Sequence, residues 1–192
     1  MNDWLADMLD GHGVSTVRTI VKPMSTPIPT GYAGAGMGRR VEFGHPVNIG
    51  RIVEAYAHGL GGLRHVMVAY PKQRQDQEQR PPVAVRSVAI CAGSGHEVLK
   101  DCNADLYVTG EMTHHAALRL TMLGKSVLTV FHSNSERRFL RKVLQPRLLK
   151  LLQEGGDPAE VLVSEEDADP FEIWDVAKMP EWAYDKVDEL NG

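Results

Sequence analysis

A chain of 192 residues, 43% hydrophobic and 24% charged, has the size and balance of one globular domain with a sizeable core. Its net charge of −4 removes the electrostatic argument for binding DNA, and no apolar run nears the ~18 residues that a bilayer span requires. The two cysteines, Cys91 and Cys102, each fall inside an expected packed element, which excludes a disulfide framework and suits a reducing compartment, cytoplasmic first and nuclear or mitochondrial second.

In chain order, residues 2–9 read as a short helix with Trp4, Leu5 and Leu9 on one side, a face that must pack on something. Residues 14–22 alternate and read as a strand. Residues 23–40 are rich in proline and glycine and predict no regular element, and FGHP (43–46) reads as a turn. Asn48 is an expected N-cap for a helix whose apolar positions are 49, 52, 53, 56, 57 and 60. A strand over 65–70 precedes a polar insertion loop at 71–84. Strand and helix then alternate: strands at 86–92, 105–110 and 125–132, and helices at 94–102, 113–124 and from Ser133 to about Gly155, with a kink before Pro146. The last of these carries RRFLRKVLQPRLLK, read as a core-facing helix with a cationic outer side. AEVLVSEE (159–166) is a last expected strand, DPFEIW closes a domain spanning 1–174, and 175–192 forms an acidic tail with one amphipathic segment. The alternation predicts an α/β fold, a largely parallel sheet with flanking helices.

In such a sheet ligands bind beyond the carboxyl ends of the strands. Three successive strands end in polar clusters, CAGSGHE (91–97), TGEMTHH (109–115) and FHSNSE (131–136), so Ser94, His96, Glu111, His114, His115, His132 and Glu136 gather at one end. Each cluster also has a plain structural explanation. Ser94 with Glu97, and Ser133 with Glu136, fit the S-x-x-E capping box, and Thr113 fits an N-cap. The turn at Gly93, Ser94 and Gly95 could alternatively offer backbone N–H groups to an anionic substrate. Capping accounts for Glu136 but not for His132. A histidine ending a buried strand four residues before a carboxylate can share a metal ion with it, and imidazole plus carboxylate suits Zn, Fe, Mn or Ni.

Cys91–Gly95, Asp105 with Thr109–Glu111, His114–His115 and HSNSER (132–137) together resemble the Nif-three-like family, also labelled GTP cyclohydrolase one, type two. NDWLA (2–6), GAGMGR (34–39) and VSEEDADPFEIW (163–174) match it as well. The resemblance implies an α/β fold of two similar lobes with a dinuclear metal site between them, and a homo-oligomer assembled as a ring-like hexamer. It implies His132 and Glu136 as ligands of a divalent metal, and a metal-dependent hydrolase of the cyclohydrolase type acting on a nucleotide or similar phosphorylated ring compound. Glu111, His114 and His115 are then the candidate acid–base residues, and Gly93, Ser94 and Gly95 the candidate anion or substrate contacts. The family's other ligands, a histidine pair and an aspartate, precede the point matching Asn2. The chain is therefore expected to be the C-terminal portion, a truncated form that is incomplete or inactive alone. The rival expectations are a non-catalytic, transcription-regulatory protein with a protein partner, and a metal-binding protein without turnover. Neither DNA nor a membrane is an expected partner.

Overall fold

The computed structural model describes residues 1–11, 16–28, 30–71, 83–156, 158–166 and 169–178. The expected polar insertion falls mostly on 72–82 and the amphipathic tail segment on 180–190, both outside the described residues. The elements in order are α1 (Asn2–Asp7), β1 (Thr16–Pro23), β2 (Gly36–Asn48), α2 (Ile49–Gly59), β3 (Met67–Ala69), β4 (Ala84–Ser94), α3 (His96–Leu99), β5 (Leu106–Glu111), α4 (His114–Met122) and β6 (Ser126–Thr129). A 3₁₀ turn (Ser133–Ser135), α5 (Arg137–Phe139), a π segment (Leu140–Leu144) and α6 (Gln145–Glu154) follow, then a 3₁₀ turn at Val176–Lys178. No described helix is long and apolar enough to cross a membrane.

The six strands form one sheet in the order β1-β2-β4-β5-β6-β3. Parallel pairing is confined to β4, β5 and β6, while β1, β2 and β3 join antiparallel. The α/β class with flanking helices therefore holds, in a mixed sheet whose parallel part carries the three polar clusters. These strands are apolar on both sides because both sides are covered. From β4, Val88 and Ile90 join a core with Leu5 and Leu9 near α1 and Ile52 and Tyr56 of α2. Ala89 and Cys91 face the other way and join Leu99 and Leu120 beneath α3 and α4. Successive side chains on a strand point to opposite faces, so one strand serves two cores. The N-terminal helix thus finds its partner in the main core, and Trp4 also meets the Phe139 ring at 5.8 Å.

Local chemistry accounts for several boundaries. The Asn48 side chain accepts the Gly50 N–H at 2.8 Å and starts α2, as expected. The proline- and glycine-rich stretch does contain structure: β2 begins at Gly36 and pairs along β1. FGHP is no turn between elements but an irregularity inside β2, where the register against β4 shifts between Glu42 and Val47. Neither S-x-x-E capping box forms. The cap of α3 is Gly95, with no side-chain hydrogen bond, and Glu97 instead pairs with Lys100 at 2.8 Å.

The C-terminal part differs most from expectation. Residues 159–166 form no strand. The outer edge of β6, where one would add, is occupied by β3, and the segment runs beside α6 instead, with Gln145 Nε2 donating to the Val161 carbonyl at 2.8 Å. The long helix breaks into pieces, because Pro146 has no N–H and its ring crowds the carbonyl one turn back; the widened π turn lies directly before it. None of these pieces faces the core: α5, the π segment and α6 contain no buried residue, and Leu151 is 64% exposed.

Candidate functional site

The carboxyl ends of β4, β5 and β6 lie side by side, with Ser94 opposite Glu111 and Thr109 opposite Thr129. Beyond β6 the Val130 N–H donates to the Thr109 carbonyl at 3.1 Å. Phe131 then takes φ +67°, the only positive value at a non-glycine among the described residues. An aromatic residue in this region is strained, and such strain is held only where the surroundings fix it. Here it reverses the chain so that His132 turns back over the end of β5.

His132 stands between two carboxylates. Its Nδ1 lies 3.0 Å from Glu111 Oε1 and its Nε2 3.7 Å from Glu136 Oε2. The hydrogen bond to Glu111 is the leading cause of an imidazole pKa raised above its ordinary value, with the charges of Glu136 and Asp169 adding to it. The Glu136 side chain makes no capping hydrogen bond: Ser133 opens the 3₁₀ turn without a side-chain cap, Glu136 is the N-cap position of α5 without one, and its N–H donates to the Ser133 carbonyl.

The cluster rests on a buried scaffold. The Ser135 hydroxyl accepts the Gly93 N–H at 2.8 Å and donates to the His132 carbonyl at 2.7 Å. Thr109 Oγ1 donates to the Gly93 carbonyl at 2.9 Å and accepts the Gly95 N–H at 3.0 Å. These bonds bind the glycine turn of β4 to β5 and to the FHSNSE turn. Gly110 permits the close approach: a Cβ there would lie 2.9 Å from the His132 Cα and 2.8 Å from the Ser135 hydroxyl. Asn2 reaches in from α1 to accept the Ala92 N–H at 2.9 Å. Asp105 fixes the far end of β5, accepting N–H groups from Arg86 and Ser87 at 2.9 and 3.1 Å.

The arrangement fits a cation. Gly93 has φ +62°, and a Cβ built on it would fall 2.6 Å from Glu136 Oε1 and 3.2 Å from His132 Nε2. The missing side chain leaves open the space in front of one imidazole nitrogen and one carboxylate, a hard and borderline donor pair suited to a divalent metal. Among the described residues, no group of three or more such side chains converges to hold one ion. Beside it opens a cavity of about 790 Å³ whose wall includes Glu111, His132, Asn134, Asp169 and Phe171. A hydrogen bond from Ser133 is the leading cause of an Asp169 pKa below the usual carboxylate value. Phe171 itself is 82% exposed.

The other expected site residues stand apart or are otherwise engaged. His114 and His115 begin α4, where Thr113 caps the helix through the Ala116 N–H. Their rings are exposed and meet each other edge to face at 5.8 Å. Among the described residues, no hydrogen bond or ion pair joins them to His132. At the glycine turn the N–H groups of Gly93 and Gly95 are spent on Ser135 and Thr109, so neither is left for an anion. Asn2, Phe131 and Ser135 lie inside stretches the sequence singles out, NDWLA, FHSNSE and HSNSER, but their part in the site is not readable there: two act across long sequence separations, and Phe131 acts through its backbone.

Known proteins match this chain across most of its length. A Schizosaccharomyces pombe NIF3 homolog is 34% identical over 171 residues, covering 89% of this chain and 58% of its own length. NIF3-like protein 1 of Drosophila melanogaster is 35% identical over 171 residues, covering 89% and 51%. The chain thus spans about half the length of these relatives. Among solved structures, a hypothetical protein of Staphylococcus aureus superposes with a TM-score of 0.62 at 16% identity, covering 90% of this chain and 63% of its own. A Bacillus cereus protein related to NIF3 gives 0.57 at 22%, covering 72% and 36%. These likenesses carry the fold. The family profile Duf34/NIF3 (NGG1p interacting factor 3) matches residues 1–170, and the chain belongs to that family.

Proposed function

We propose that this chain supplies half of a divalent-metal site, with His132 Nε2 and the Glu136 carboxylate as donors, in a metal-dependent hydrolase of the GTP cyclohydrolase type. The observation that carries the reading is the gap in front of both donors, kept clear by the absent side chain of Gly93. The remaining donors, a dinuclear arrangement and a ring-like homo-oligomer belong to the whole protein, of which this chain matches about half. When bound, a divalent cation supplies Lewis acidity toward water and toward a carbonyl or phosphoryl oxygen.

The chain's own residues do the rest. Ser135 and Thr109 hold the donor turn, and Phe131 and Gly110 set its approach. The cavity beside His132 receives the organic part of a substrate, with Phe171 as an apolar surface. Its carboxylates Glu111, Asp169 and Glu172 repel a free phosphate and attract a cation, so an anionic substrate binds here only with its charge compensated. The exposed imidazoles of His114 and His115 are the proton carriers in this reading. Both cysteines are free, in keeping with a reducing, cytoplasmic setting. A second reading, a non-catalytic regulatory partner of another protein, draws on a relative from Saccharomyces cerevisiae called NGG1-interacting factor 3, 34% identical over 177 residues.

Metal content and competition titration test the donor pair, on this chain and on a full-length relative carrying the equivalent substitutions. His132→Ala and Glu136→Ala are expected to abolish binding at this site, and Glu136→Gln to weaken it at least tenfold. Unchanged affinity in Glu136→Gln would sink the ligand assignment. Stoichiometric metal without turnover of GTP or a generic phosphoester would leave a metal-binding protein, and metal in neither chain would favour the regulatory reading.

A further inference from the structure

We propose that Glu111 is a positioning residue for His132 rather than an acid or base: its carboxylate fixes the imidazole tautomer so that Nε2 is the nitrogen offered to a ligand. The inference rests on geometry. A carboxylate can only accept a hydrogen bond, so Nδ1 at 3.0 Å from Glu111 Oε1 carries the proton. In the neutral ring Nε2 is then a bare acceptor, and it faces Glu136 on the opposite edge at 3.7 Å. Glu111 and Glu136 address different nitrogens and so cannot both stand on the Nε2 side. A neutral histidine free in water prefers the reverse tautomer, with the proton on Nε2, so the preference has to be imposed.

Glu111 is built to impose it. It is the last residue of β5, registered against Ser94 of β4, so its backbone sits on a paired strand instead of a loop. Gly110, one residue before it, lets the FHSNSE turn rest directly on that strand end. His132 and Glu111 are each about half exposed, 49% and 50%, and an exposed pair contributes little to stability. Its effect is therefore orientation. Partners that orient a histidine ligand in this way typically raise metal affinity about 10–100-fold. That consequence rests on the metal reading above; the tautomer does not.

Nitrogen NMR of the metal-free 192-residue chain, at a pH where the imidazole is neutral, tests the two separately. The His132 signals are assigned by their loss in His132→Gln. The wild type is expected to show Nδ1 protonated and Nε2 bare. Glu111→Ala should shift the ring to the Nε2-protonated form, while Glu111→Gln, whose amide oxygen still accepts from Nδ1, should keep the wild-type pattern. Far-UV circular dichroism checks that each variant is folded. An Nε2-protonated wild type, or a Glu111→Ala ring that keeps its proton on Nδ1, would overturn the proposal. Zinc competition then reports the consequence, an expected loss of about 10–100-fold in Glu111→Ala. A tautomer switch in a chain that binds no zinc would uphold the positioning role while removing the metal reading.

Discussion

Ser135 has no exposed surface, and its hydroxyl both accepts from Gly93 and donates to the His132 carbonyl. Replacing it by alanine leaves a buried N–H without a partner. Ser135→Ala is expected to destabilise the chain by about 1–3 kcal/mol and to loosen the turn that carries His132, read as a lower midpoint in denaturant with an unchanged slope. An unchanged midpoint would mean that solvent reaches Gly93 and that the glycine turn is not held from below. At this scale the sequence was half legible. The four-residue spacing of His132 and Glu136 pointed to a shared ligand, and the structure brings the two side chains face to face. The bond to Glu111 was out of reach, because it joins residues 21 apart through the pairing of β5 with β6 rather than through any local pattern. The capping box at Ser133 was misleading: the turn begins as a 3₁₀ helix, whose tighter geometry leaves the Glu136 side chain outside the cap.

Among the elements, α2 shows how far patterning reaches. Its cap, its start and its buried face at Ile52 and Tyr56 all follow from sequence, yet the Tyr56 hydroxyl is buried without a hydrogen-bond partner among the described residues. Burial pushes its pKa far up, so the group stays neutral. Removing an unpaired buried hydroxyl is expected to be neutral or stabilising by about 1 kcal/mol. Tyr56→Phe should therefore unfold at the same temperature or a few degrees higher. A clear fall would reveal a partner, such as an ordered water, worth more than the desolvation cost. Patterning fails for α6 and for residues 159–166. Both have the periodicity of core-facing elements, but the leucines of one lie half exposed against the valines of the other, outside the sheet. Period identifies an apolar face without saying what covers it.

For the molecule as a whole, Asp3 and His132 are shifted in directions that pull stability down at opposite ends of the pH range of the metal-free chain. Asp3 is held low, chiefly by its hydrogen bonds to Arg39 at 2.5 and 2.6 Å. Its contribution is present above the ordinary carboxylate pKa and is lost as pH falls through the folded value. His132 is raised, chiefly by Glu111, so its contribution is complete below the ordinary imidazole pKa of about 6.5 and fades as pH rises through the folded value. Both groups touch solvent, so each effect is small. The thermal midpoint should decline on both sides. Asp3→Asn should make the acid-side decline shallower, and His132→Gln the decline above neutrality; parallel profiles for variant and wild type would refute the assignment. A cation reverses the second trend, since it binds the neutral ring, and stabilisation by added zinc should grow with pH.

The α/β class was legible from the alternation of elements, and β1 from its own alternation; the mixed pairing was not, because β2 begins in a stretch whose prolines and glycines hide its hairpin with β1. That pairing has a consequence for how the molecule can change. Glu111, Gly93 and His132 come from three neighbouring strand ends, so the registers of β4, β5 and β6 act as the ruler that measures their separation. An insertion late in these connections, after α3 or after α4, is expected to leave the three in place, whereas a slip of one residue in β5 would swing Glu111 to the opposite face of the sheet. Variation is therefore cheap around the loops and nearly forbidden along these three strands, and a chain with misaligned strands would announce itself as one that folds but leaves its histidine unoriented.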